Sequence, residues 1–114
     1  MGRGPAQGGL LIIETSVFTK QVSVHMDDDS YRLLQIELVR NPGIGALIRG
    51  SGGLRKVRWR SAGRGKRGGV RVIYHWHRSR AILLMLLAYG KSGQKDLTAE
   101  QLNGLRAVVE EEFR

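Results

Sequence analysis

VRVIYHWH, residues 70–77, alternates with a period of two. Val72, Tyr74 and Trp76 point one way; Arg71, Ile73, His75 and His77 point the other. This is the signature of a strand with one core face and one face of cations and imidazoles. Upstream, LRKVRWR (54–60) has strand composition with mixed charge. The intervening SAGRGKRGG (61–69) would close an antiparallel hairpin, and its length is unusual for one; long loops are where function tends to sit. Downstream, HRSR (77–80) reads as a second, tighter turn, and Ile82 to Tyr89 as a buried central strand.

The flanking segments supply helices. Leu10–Ile13 is a short apolar run that fits a buried strand, followed by a short helical turn that pairs Phe18 with Val22. The Asp/Ser cluster at 27–30 is an N-cap signal. Tyr31, Leu34 and Leu38 then share a face that Leu33, Ile36 and Val39 widen, which predicts a helix over 30–40 ended by Asn41-Pro42-Gly43. The tail DLTAEQLNGLRAVVEEEFR (96–114) reads as a helix. Thr98 and Gln101 fit a capping box, and Leu102, Leu105, Val109 and Phe113 form the apolar face. Gly104 inside it costs on the order of 1 kcal/mol relative to Ala. The order of elements predicts an α+β fold: a curved antiparallel sheet, N-terminal helices packed on one face, and a C-terminal helix. The charge is expected on the other face or at the sheet edge. Residues 10–114 are expected to form a single domain, with 1–9 (MGRGPAQGG) a flexible tail lacking the apolar core of a signal peptide.

The 114 residues carry a net charge of +9. Its placement matters more than its size: from Arg49 to Lys95 there are thirteen Lys or Arg and no Asp or Glu. A one-sided field of this kind attracts polyanions, nucleic acid above all, whereas a merely solubilising surface mixes its signs. No cysteine is present, which removes disulfides, thiolate metal sites and a Cys nucleophile. The longest apolar run, Ala81–Tyr89, is about half of a membrane span. No membrane partner, metal or small-molecule cofactor is expected.

Gly63, Gly65 and Gly68 match G-x-G-x-x-G, but a strand follows where a dinucleotide site needs a helix. The glycines fit instead a loop that brings backbone and the cations Arg64, Lys66 and Arg67 to a phosphate. Arg55 and Arg60 extend that candidate RNA-binding surface. His75 and His77 at i,i+2 could chelate a metal, but no third ligand is placed nearby and their cationic neighbours oppose a cation. Arg71 is the residue to single out, because its guanidinium can clasp a phosphate through two hydrogen bonds. Lys56 and Arg58 share a face on the preceding strand and can lie close to it. With no carboxylate in the block, the chemistry open to such a site is metal-independent RNA cleavage. The 2′-OH attacks the adjacent phosphate while Arg and Lys stabilise the added charge.

LVRNPGIGALIRG (38–50), GSGGLRKVRW (50–59), GRGKRGGVRVIYHW (63–76) and LLAYGKSGQKDLT (86–98) together resemble the RelE/HigB toxins of bacterial toxin–antitoxin systems, the HigB-like branch most closely. The resemblance runs from about Ile12 to Val109. It implies a curved antiparallel sheet with helices on one side, and a cytoplasmic mRNA endonuclease acting in the A site of the 30S ribosomal subunit. It also implies a cognate antitoxin as partner. Arg71 stands at the family's arginine on the scissile phosphate, Lys56 and Arg58 at its basic pair, and Lys91 at the basic residue after the last strand. The chain departs from many relatives in lacking a Tyr or His after Lys91 and in placing His75 where a tyrosine is common. The general base is thereby left among His75, Tyr89 and Lys91, or replaced by positioning on the ribosome. Two rivals share the scaffold: a ParE-like toxin that binds DNA gyrase, and a non-catalytic RNA-binding regulator. On either RNA reading, binding to RNA or ribosomes is expected to weaken steeply between low and moderate salt as counterions are released, measurable by fluorescence anisotropy. Binding that stays flat over that range would contradict a phosphate-gripping face.

Overall fold

The computed structural model describes residues 2–3, 9–60, 69–90 and 96–114. Its strands are β1 (Gly2–Arg3), β2 (Leu11–Glu14), β3 (Ala46–Leu47), β4 (Leu54–Trp59), β5 (Val70–His77) and β6 (Ile82–Gly90). Its helices are α1 (Ser16–His25), α2 (Asp28–Arg40) and α3 (Ala99–Glu112). The strands form one sheet in the order β1-β2-β6-β5-β4-β3. The expected α+β fold is present, and β4, β5 and β6 form the expected antiparallel run. One pairing differs: β2 lies parallel to β6, so the sheet is mixed. The chain reaches β6 only after α1, α2 and the antiparallel run of β3, β4 and β5, a connection long enough to bring it back to the end where β2 began, as a parallel pair requires. The segment after β2 is also more than a short turn. Thr15 caps a ten-residue helix by accepting from the Phe18 amide at 3.0 Å, and Phe18 and Val22 are its buried residues. Gly2–Arg3 pair with Ile13 and Glu14 as a short edge strand.

Both sheet faces are covered. On the first, α1 and α2 pack Phe18, Val22, Leu34 and Leu38 against Val57, Val70, Val72, Tyr74, Leu83 and Met85. Asp27 caps α2 by accepting from the Ser30 amide at 2.8 Å. Trp59 Nε1 donates to the Ser30 carbonyl at 3.2 Å and so ties α2 to β4. Tyr74, fully buried, donates to Pro42 O at 2.6 Å and accepts from Gly45 N at 3.0 Å. Gly45 has to be glycine, since a Cβ there would lie 2.8 Å from the Tyr74 ring.

The second face corrects the expectation that the helices gather on one side. Leu54, Ile73, Leu84 and Leu86 lie there, and α3 covers them with Leu102, Leu105, Val109 and Phe113. Apolar side chains on that face cannot be left to water, and among the described residues α3 carries the one remaining apolar helical stripe. The Thr98–Gln101 capping box is formed as expected. No residue of α3 is fully buried, so its hold on the sheet is lighter than that of α1 or α2.

A one-residue irregularity decides which side chains reach this second face. Along β5 and β6 the register runs Tyr74↔Met85 and then Ile73↔Leu87, leaving Leu86 as an extra residue. Such a bulge reverses the alternation beyond it. Leu83 and Met85 face α1 and α2, as does Ala88, while Leu84, Leu86, Leu87 and Tyr89 face α3. The Ala88 amide is satisfied by Gln21 Oε1 of α1 at 2.9 Å. Tyr74→Phe is expected to lower stability in urea unfolding by roughly 1–3 kcal/mol, because Gly45 N and Pro42 O lose their partner. An unchanged midpoint would show that the loop 42–45 is not anchored through this phenol.

Candidate functional site

Alternation on β4 and β5, together with the β6 bulge, assembles a row of three side chains on the α3 face. Arg58 pairs with Arg71, and Arg71 pairs with Tyr89. Lys56 pairs with Ile73 and therefore lies diagonal to Arg71, within reach of a long side chain. The structure thus places Lys56, Arg58, Arg71 and Tyr89 of the candidate set on one patch.

Arg71 is the unusual member. It is only 6% exposed, yet Nε and Nη1 are buried without a hydrogen-bond partner among the described residues. The Tyr89 hydroxyl is in the same condition. An uncompensated buried guanidinium is costly, and a second arginine directly across the ladder adds repulsion. Such an arrangement suits an anion that arrives from outside. Burial raises the Tyr89 phenol above its ordinary range, more than the neighbouring Arg71 and Arg58 lower it. At neutral pH Tyr89 therefore keeps its proton and offers a donor, not a base.

The mouth of the patch contains a residue that sequence reasoning passed over. Lys56 Nζ lies 3.3 Å from Asp96 Oδ1. The basic block has no acid within its bounds, but Asp96 is the residue immediately after it. The lead into α3 carries this carboxylate back to β4, forty positions away. Its side chain is 74% exposed, so the pair contributes about 0–1 kcal/mol. Beside it opens a cleft of about 240 Å³ that includes Tyr89, Lys56 and Asp96 in its lining.

Arg55 is not on the basic face. It sits on the α2 side, where Nη1 donates to Gly43 O at 3.1 Å and Gly45 O at 2.8 Å. The alternation that puts Lys56 and Arg58 on one face puts Arg55 on the other. His75 is on the right face but at the wrong end, four residues along β5 from Arg71, or about 13 Å. It is half-buried, with Nδ1 3.4 Å from Gly53 O, and Phe113, just after α3, packs against both His75 and His77, with ring centroids 5.8 and 4.2 Å away. It cannot reach a phosphate held by Arg71. Arg60 follows β4 and is exposed. Arg64, Lys66, Arg67 and Lys91 lie outside the described residues.

No family model matches the chain. Among solved structures it is similar to a double mutant of the Escherichia coli toxin RelE in the free state. That similarity has a TM-score of 0.56 and 15% identity, and covers 86% of this chain and 94% of that one. The two share a fold. Among the described residues no helix is long and apolar enough to cross a membrane.

Two measurements probe the site's electrostatics. Arg71→Met, which keeps the volume and removes the charge, is expected to raise the urea midpoint. A lower midpoint would show that the guanidinium is structurally satisfied. At the other end, burial holds the His75 imidazole below its ordinary value of 6.5. The unfolded chain then takes the proton first. The stability contributed by neutral His75 is complete above about pH 6.5 and is lost as pH falls below it, levelling once the folded imidazole also protonates. His75→Gln is expected to remove that part of the pH dependence in thermal melts. Parallel curves for the two proteins would contradict it.

Proposed function

We propose that the chain is a toxin of a toxin–antitoxin pair that cleaves mRNA on the ribosome, in the A site, without a metal. The observation that carries this reading is Arg71, a buried guanidinium with two unpartnered nitrogens, flanked by Arg58 and Tyr89 and approached by Lys56. A diester phosphate is an anion that such a fork can hold through two hydrogen bonds. The sequence resemblance and the fold shared with a RelE toxin support the same reading.

In this mechanism Arg71 grips the non-bridging oxygens of the scissile phosphate and Arg58 adds charge from the next strand. The 2′-oxygen forms a bond to phosphorus and loses its proton, the bond to the 5′-oxygen breaks, and that oxygen takes up a proton. A 2′,3′-cyclic phosphate and a 5′-hydroxyl result. The two arginines and Lys56 stabilise the charge that builds on the phosphoryl oxygens, and the Tyr89 hydroxyl donates a hydrogen bond to them. These side chains supply charge and hydrogen-bond donors. Much of the acceleration must therefore come from holding the RNA in line for attack, a task in which the ribosome would share. An antitoxin would act by covering this patch.

A reconstituted translation system with a defined mRNA tests this, with breaks mapped by primer extension. Cleavage at A-site codons is expected only with ribosomes present and at least about 100-fold slower for Arg71→Ala. Full activity of that variant, or cleavage absent from every reaction, would overturn the reading. In the latter case gyrase inhibition becomes the function to assay.

A further inference from the structure

Among the described helices, α3 is the one without a fully buried residue. Its stripe of Leu102, Leu105, Val109 and Phe113 rests on Leu54, Ile73, Leu84 and Leu86. Along one flank that seat is incomplete. Leu105 and Val108, with Leu86, Leu87 and Val17, line an apolar hollow of about 330 Å³, where dispersion contacts are forgone. The ends of the helix therefore matter to its hold. The Thr98–Gln101 box fastens the first turn. At the other end Phe113 lies against His75 and His77, and the two imidazole centroids are 6.1 Å apart.

Charged groups surround this clasp. From the β5–β6 turn, Arg80 stands 5.7 Å from the Phe113 ring, and Ser79 Oγ lies 3.3 Å from His77 Nδ1. Arg78 is turned away onto Trp76. From α3, Arg106 lies over Gly52, beside the Gly53 carbonyl that His75 Nδ1 approaches, and Glu110 lines the same small hollow. Glu111 is taken up by Arg114, and Glu112 precedes Phe113. Neither imidazole has an ion pair among the described residues. A neutral His75 fits this setting. A charged one would be a half-buried cation beside His77 and Arg80. Burial first, and then the charge of His77, hold His75 below its ordinary value against the opposing pull of the Gly53 carbonyl.

We propose that Phe113, His75 and His77 form an acid-released latch, in which protonation of His75 frees the C-terminal half of α3 while the rest of the domain stays folded. Release uncovers the apolar sheet surface around Leu54 and Leu84. With α3 lifted, His75 meets water and takes a proton at its ordinary value, so the open state binds the proton first. The latch is closed above about pH 6.5 and loosens as pH falls below it, levelling once the docked imidazole protonates too. It sits at the far end of β5 from Arg71 and does not depend on the RNA-cleaving reading.

Native-state hydrogen exchange followed by NMR tests the latch, because it separates local opening from global unfolding. Protection factors, corrected for intrinsic exchange, are compared at pH 7.5 and 5.5 for amides of α3 up to Phe113 and for those of Leu34–Leu38 in α2. Protection near the end of α3 is expected to fall several-fold at the lower pH while α2 holds its own. His75→Gln is expected to make α3 protection independent of pH. Phe113→Ala, a change at a chain end that the fold tolerates, is expected to loosen α3 at both pH values and flatten its response. Constant α3 protection in the wild type, or a pH response that survives His75→Gln, would overturn the latch. So would a parallel fall in α3 and α2, which would make His75 a contributor to global stability alone.

Discussion

Strand β5 can satisfy the core only by turning Val70, Val72 and Tyr74 toward α1 and α2, and that choice forces Arg71 onto the other face. There it is left 6% exposed. No carboxylate among the described residues pairs with it. The rest of the site is arranged around this forced placement. The same alternation on β4 delivers Arg58 and Lys56 to that face. The Leu86 bulge then turns Tyr89 over to join them. Without the extra residue, Tyr89 would follow Leu83 and Met85 toward the helices, and the row would end at Arg71.

The second face serves two purposes at its two ends. Near Leu54, Leu84 and His75 it is apolar and lies under α3, clasped at the tip by Phe113. Near Arg58 and Arg71 it is cationic and lies beyond the helix. The lead into α3 bridges them, because Asp96 reaches Lys56 just before the Thr98 cap. The cap fixes where the helix begins, and with it where the carboxylate stands. The buried, unpartnered Arg71 nitrogens are a stability cost within this sheet.

Much of this was legible in the sequence because it followed from period and caps. The strand at 70–77, the helix ended by Asn41-Pro42-Gly43 and the Thr98–Gln101 box each have a local cause, and each formed. Arg71, Lys56 and Arg58 on one face also follow from alternation alone. What escaped depended on non-local facts. The parallel β2–β6 pair is decided by the whole path through α1, α2 and the three strands between, and the bulge by packing of Leu86 on α3's face, neither of which a two-residue period encodes. Arg55 was misplaced by counting charge without applying the strand's own alternation to it. His75 was placed on the correct face, but its distance from Arg71 disqualifies it. Asp96 was missed because an acid just outside a basic block looks like a boundary, and only tertiary structure brings it to Lys56.

The central claim is that Arg71 is held ready for a phosphate. The most direct measurement follows the Arg71 Nε–H resonance while inorganic phosphate is titrated at constant ionic strength. A saturable shift, with exchange of that proton slowed once phosphate occupies the site, is the expected result. A resonance that ignores phosphate throughout would contradict it, and the row of Arg58, Arg71 and Tyr89 would then be a feature of the fold alone.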